Sequence, residues 1–178
     1  ADAEIVVNSG TVSDDGVWIA ERDTPLSRED PAVYAMVWDE PHPLCGLAVK
    51  EVDGERTEVD VFTGAAGVRP DPASDDGWTQ VAAFTSRRRM DHSGFEGHNA
   101  LARYLDEMVD FGSNIVTRAV RLRVVSQFTA DTYEGSCAKD RLGLDTTRCR
   151  IFGVAPLEWL GGEKPVDEAV AQRIEIID

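Results

Sequence analysis

The sequence predicts an α+β domain of mainly antiparallel strands, a sandwich or curled sheet, with one central amphipathic helix at about residues 94–111. Three observations predict it. Short apolar, β-branched runs recur at fairly regular spacing along the chain. Asp53-Gly54 stands between two alternating segments, the pair that suits a type I′ turn. Ser93-Gly94-Phe95-Glu96 has the form of a capping box, with an apolar stripe at helical period behind it.

Ile5-Val6-Val7 reads as a brief first strand, and Val17 to Ala20 as a second, entered through the turn residues Asp14-Asp15-Gly16. Ala32 to Trp38 is apolar nearly throughout, which implies a strand buried on both faces. Gly46–Val52 and Glu55–Phe62 then form the expected hairpin, with Val52 opposite Glu55 and Glu51 facing Arg56 as a cross-strand ion pair. Gly64 to Gly77, with Pro70 and Pro72, is a long surface loop, and Thr79 to Thr85 another strand.

In the expected helix, Leu101, Tyr104, Leu105, Met108 and Phe111 share one side, and Gly112 is the stop. Ile115 to Phe128 alternates: Val116, Val120, Leu122 and Val124 fall on one parity, Arg121, Arg123 and Gln127 on the other. Arg150 to Val154 is a further strand. Pro165 to Arg173 reads as a short helix and Ile174 to Ile177 as a final strand. No repeat or low-complexity segment divides the chain, so residues 1–178 are expected to form a single domain. A chain of 178 residues is long enough to bury about 70% of its unfolded surface.

Charge bounds the function. Asp and Glu number 33 against 18 Lys and Arg, a net charge of −15, and only Lys50, Lys139 and Lys164 are lysines. Such a surface repels nucleic acid and anionic membranes. It suits either a halophilic setting, where the Debye length shrinks to about 3 Å at 1 M salt, or a GC-rich genome that favours arginine codons. If repulsion is the governing term, thermal melts from low to molar NaCl shift upward; a flat or falling trend removes the high-salt reading. No apolar run reaches the roughly 20 residues of a membrane-spanning helix, so no membrane insertion is expected. The chain begins Ala1-Asp2-Ala3-Glu4. That start fits signal-peptide cleavage and an extracytoplasmic protein; the alternative is a cytoplasmic one after removal of an initiator Met.

Cys137 and Cys149 bracket a polar, turn-rich segment. They are the expected disulfide, a bridge that would contribute about 3 kcal/mol in the chain-entropy model. Cys45, in Pro43-Leu44-Cys45-Gly46-Leu47, reads as a buried structural thiol. A His42–Cys45 dyad has no third residue to orient it. Asp71, Asp75 and Asp76 place carboxylates and a following glycine in one loop, as a calcium site would, but lack the EF-hand alternation. Calcium is the one cofactor the sequence allows for.

Trp78, Arg87, Arg88, Arg89 and Trp159 are the expected contact residues, because Trp and Arg anchor interfaces. No nucleophile motif, phosphate loop or zinc motif occurs. The expected function is therefore non-enzymatic: a structural or binding domain of a cell-surface, secreted or virion-associated assembly, acting through a protein partner. Two alternatives stand beside it. One is a small-molecule hydrolase assembled around His42, His92 and His98 with Arg87 to Arg89. The other is an acidic inhibitor or immunity protein for a basic partner.

Overall fold

The structure is a computed structural model, and it describes residues 2–86, 88–91, 101–104, 106–127 and 148–158. The described strands, in chain order, are β1 (Glu4–Val7), β2 (Thr11–Val12), β3 (Trp18–Glu21), β4 (Ala32–Asp53), β5 (Arg56–Phe62), β6 (Trp78–Thr85), β7 (Arg88–Asp91), β8 (Leu101–Tyr104), β9 (Glu107–Ser126) and β10 (Arg148–Glu158). Every described pairing is antiparallel.

Two very long strands organise the molecule. β4 has 22 residues and β9 has 20, well beyond the usual strand of about 3–10 residues. Neither runs straight. They pair with each other along nearly their whole length, and the register shifts between Val37 and His42 and again between Leu44 and Gly46. Pro41 and Pro43, which cannot donate to a ladder, mark the bend in β4, and Asp39, Glu40 and Pro41 are exposed there. On one side of the bend the order is β1, β4, β9, β5, β6; on the other it is β2, β3, β10, β4, β9.

The two halves stack on one core. Tyr34, Val59, Val61, Val120 and Leu122 from the first pack with Trp18, Leu47, Val49, Val52 and Ile151 from the second. Gly46 sits where the strands come closest, since a Cβ there would lie 2.2 Å from the Val109 carbonyl oxygen.

The α+β expectation is corrected. Among the described residues there is no helix, and the sheet architecture is all-β. Leu101–Tyr104 is strand β8, paired with β7, and residues 107–111 begin β9. Residues 92–100, with the expected cap, lie outside the described residues. The reason is visible in burial. Glu107, Val109 and Phe111 are buried while Asp110 is exposed, a period of two. Leu47 and Ala48 of β4 take Val109 and Met108 as ladder partners, so pairing overrides helical spacing. Gly112 is no helix stop. It takes φ +71° within the strand, and its N–H donates to Asp110 Oδ1 at 2.7 Å.

The hairpin is corrected too. β4 and β5 are not neighbours, because β9 runs between them. Asp53-Gly54 is a corner from one half to the other. Val52 pairs with Ile151, Arg56 with Ser126, and Asp53 holds Arg150 at 3.0 Å. A Cβ on Gly54 would lie 2.5 Å from Val124 Cγ1, so the glycine answers close packing. Glu51 does not meet Arg56. It adopts φ 44°, and its N–H donates to Asp106 Oδ1 at 3.3 Å.

Candidate functional site

The bend that carries β4 and β9 between the two halves opens a cleft of about 730 Å³. Its walls come from three places. β4 contributes Asp39, Glu40 and Pro41; β9 contributes Val116, Thr117 and Arg118; the start of the loop after β5 contributes Thr63 to Gly67. Thr117 is fixed by its hydroxyl, which donates to the Phe62 carbonyl at 2.9 Å. Val116 is 67% exposed, an apolar side chain left open at the rim. A volume of this size lies in the range of about 300–1,000 Å³ typical of small-ligand sites.

The charged groups of this cleft are unspent. Among the described residues Asp39, Glu40 and Arg118 have no hydrogen-bond or ion-pair partner. Arg118 Nε is buried and still lacks an acceptor. An unsatisfied buried donor costs roughly 1–3 kcal/mol, so a ligand oxygen arriving there recovers a deficit already present.

The loop that forms one wall is strongly fastened. Thr63 N–H donates to Gly77 O at 2.7 Å and closes the loop at its base. Arg121 of β9 is 3% exposed and reaches up from the sheet. Its Nη1 donates to Pro72 O at 3.0 Å and Ser74 O at 2.7 Å, and its Nη2 to Asp75 Oδ1 at 3.1 Å. Below, its Nε donates to Asp60 Oδ2 at 2.8 Å. Arg123 joins Asp60 at 3.0 Å and Glu58 at 2.7 Å, and Arg28 adds a second contact to Glu58 at 2.7 Å. Glu58 faces Arg123 and Asp60 faces Arg121 in the β5–β9 register. Arg121, on the parity opposite the apolar residues of β9, is thus covered by the loop. Alternate acids on β5 matched to alternate arginines on β9 were the signal that reveals this lattice, and it was missed.

The residues singled out from the sequence fall in different places. Trp78 is half-buried and serves the same loop: its indole N–H donates to Asp71 O at 3.0 Å, and its ring meets Phe62 edge-on at 5.5 Å. Arg121 lies over that ring at 4.6 Å. Arg88 and Arg89 are in β7, where Arg88 is in register with Tyr104 and Arg89 with Arg103. Arg87 and Trp159 lie outside the described residues. Asp71 caps its own turn by accepting from Ala73 N–H at 3.0 Å, Asp75 goes to Arg121, and the Asp76 N–H binds Ser74 Oγ at 3.0 Å. Among the described residues no three His, Cys, Asp or Glu side chains are grouped to hold a metal ion.

His42 stacks on Trp38 at 5.2 Å and places Nδ1 3.5 Å from Glu158 Oε1; His92 and His98 lie outside the described residues. Cys45 does not join His42: its thiol donates to the Leu157 carbonyl at 3.4 Å, and burial raises its pKa. Cys149 is a free thiol, fully buried, with its pKa pushed up to about 12 by desolvation. The bridge expected at Cys149 is therefore not found, and Cys137 lies outside the described residues. Both described thiols are expected to resist alkylation at pH 8 in the native protein and to react in denaturant without reductant. Intact-mass labelling checks this; a Cys149 that stays unlabelled in denaturant reinstates the bridge.

No protein-family model matches the chain, and no curated protein sequence is similar to it. Solved structures are. A family 32 carbohydrate-binding module from C. perfringens, in complex with galactose, superposes with a TM-score of 0.51 at 13% identity, over 86% of this chain and 92% of the other. The fold is a β-sandwich shared with carbohydrate-binding modules. Chitosan-binding module 2 of a Paenibacillus chitosanase/glucanase, in complex with chitotriose, gives 0.51 at 8% identity, over 87% and 95% of the two chains. A third module, from a family 31 glycoside hydrolase of Clostridium perfringens, gives 0.50 at 10%, over 86% and 88%. At these identities the likeness is one of fold.

Proposed function

We propose that this domain is a non-catalytic binding module that acts outside the cytoplasm and takes a carbohydrate in the cleft at the β4–β9 bend. A carbohydrate takes the place of the protein partner expected from the sequence. The observation that carries the reading is Arg118 Nε, a buried donor without an acceptor, in one cleft with two carboxylates that have no partner among the described residues. Polyol ligands present hydroxyls that both donate and accept. Asp39 and Glu40 accept from hydroxyl groups, and the Arg118 guanidinium donates to hydroxyl or ring oxygens, as charge-assisted bonds. Val116, Ala65 and Ala66 offer the apolar contact that the C–H face of a sugar ring needs. The sandwich fold, found in modules solved with galactose and with chitotriose, supports the same choice. No step here requires a nucleophile or a base.

The test is calorimetric titration with galactose, with chitotriose and with an acidic glycan as contrast. Saturable binding of a neutral or amine-bearing sugar is the expected result. Absence of heat with every sugar, or turnover of a glycoside, overturns the reading.

A further inference from the structure

We infer that Arg121 is the positioning residue of the cleft: it fixes the shape of a site it does not line. The inference rests on the carbohydrate reading only for what the cleft holds. The chain of contact is continuous. Arg121 binds the far limb of the loop through Pro72 O, Ser74 O and Asp75. Its guanidinium covers Trp78 at 4.6 Å, Trp78 meets Phe62 at 5.5 Å, and Phe62 lines the cleft. The near limb cannot slide independently. Gly64 and Gly77 lie so close to the Phe62 ring that a Cβ on either would approach within 2.3 and 2.7 Å of it. The guanidinium therefore holds one limb by hydrogen bonds and the other through two aromatic rings in edge-to-face contact.

A planar fork is needed for this. Nε is engaged by Asp60 below while both terminal nitrogens reach the loop above. A lysine ammonium, a single point on a flexible stem, cannot span both. Arg123 is the natural control. It shares Glu58 and Asp60 with the same lattice, and among the described residues these two carboxylates, not the loop, hold its guanidinium.

The test compares Arg121→Lys, Asp75→Asn and Arg123→Lys in the full chain, by amide hydrogen exchange across residues 63–77 and by titration with galactose and chitotriose. Arg121→Lys is expected to speed exchange in the loop at least about tenfold relative to the core strands. It is also expected to weaken the sugar that binds the parent by about tenfold, near 1.4 kcal/mol. Asp75→Asn, at an exposed side chain, is expected to raise loop exchange about threefold with an unchanged core. Arg123→Lys lowers the melting temperature and leaves loop exchange and affinity at parent values. Parent-like exchange in Arg121→Lys overturns the inference, as does equal loosening by Arg123→Lys. If Arg121→Lys does not fold, parent-like exchange in Asp75→Asn overturns it. If neither sugar binds the parent, the carbohydrate reading fails, while loop exchange still decides on the clamp.

Discussion

Asp60→Ala is expected to destabilise the domain by about 3–5 kcal/mol, the cost of breaking a buried ion pair from one side. The carboxylate is 2% exposed and serves two arginines, Arg121 at 2.8 Å and Arg123 at 3.0 Å. Deleting it leaves two guanidiniums in a closed space with fewer acceptors than donors. Arg123 retains Glu58, and Arg121 retains the loop carbonyls and Asp75, so the loss is not that of two isolated charges. Asp60→Asn preserves volume and one acceptor and is expected to cost less. Urea denaturation measures both. A lower midpoint at unchanged slope is the expected outcome, and a midpoint within experimental error of the parent contradicts the assignment of Asp60 as the centre of the lattice.

The second large effect is on binding. Arg118→Ala is expected to weaken the bound sugar by about tenfold to a hundredfold, the equivalent of losing one charge-assisted hydrogen bond or a pair. Stability is expected to move the other way or not at all. Arg118 has no partner among the described residues, and its Nε is already buried without one. Removing an unsatisfied donor removes a cost. Loss of affinity with an unchanged or higher melting temperature separates a ligand contact from a structural arginine. Loss of both together would place Arg118 in the scaffold.

How much of this was legible in the sequence differs from element to element. Ala32 to Trp38, Thr79 to Thr85 and Arg150 to Val154 all fall in strands, because β-branched runs bounded by turn residues carry their own signal. The segment around Met108 and Phe111 misled because its apolar residues satisfy both a helical spacing and, through Val109 and Phe111, a period of two. Only the presence of β4 alongside decides between them. Asp53-Gly54 shows the same limit. Its turn chemistry is local, but whether two strands that meet at a turn pair depends on a third strand, β9, drawn from more than 50 residues further on.

The site was less legible still. Asp39-Glu40-Pro41 interrupts an apolar run, which marks a bend, but nothing local says that Arg118 arrives beside it. Residue type alone makes Trp78 an expected contact residue; that it also props the loop from beneath depends on where Asp71 and Phe62 fall. Glu58, Asp60, Arg121 and Arg123 were visible as alternating charges. Their burial depends on a loop whose course is set by the arginine it covers.

The most direct test of the binding site is a map of backbone amide chemical shifts in the isotope-labelled full chain, titrated with galactose and with chitotriose. The account predicts perturbations that saturate together and centre on Asp39, Glu40, Thr63 to Gly67 and Val116 to Arg118. Perturbations centred elsewhere, for instance on the Arg88–Asp91 ribbon, with the bend unchanged, would contradict it.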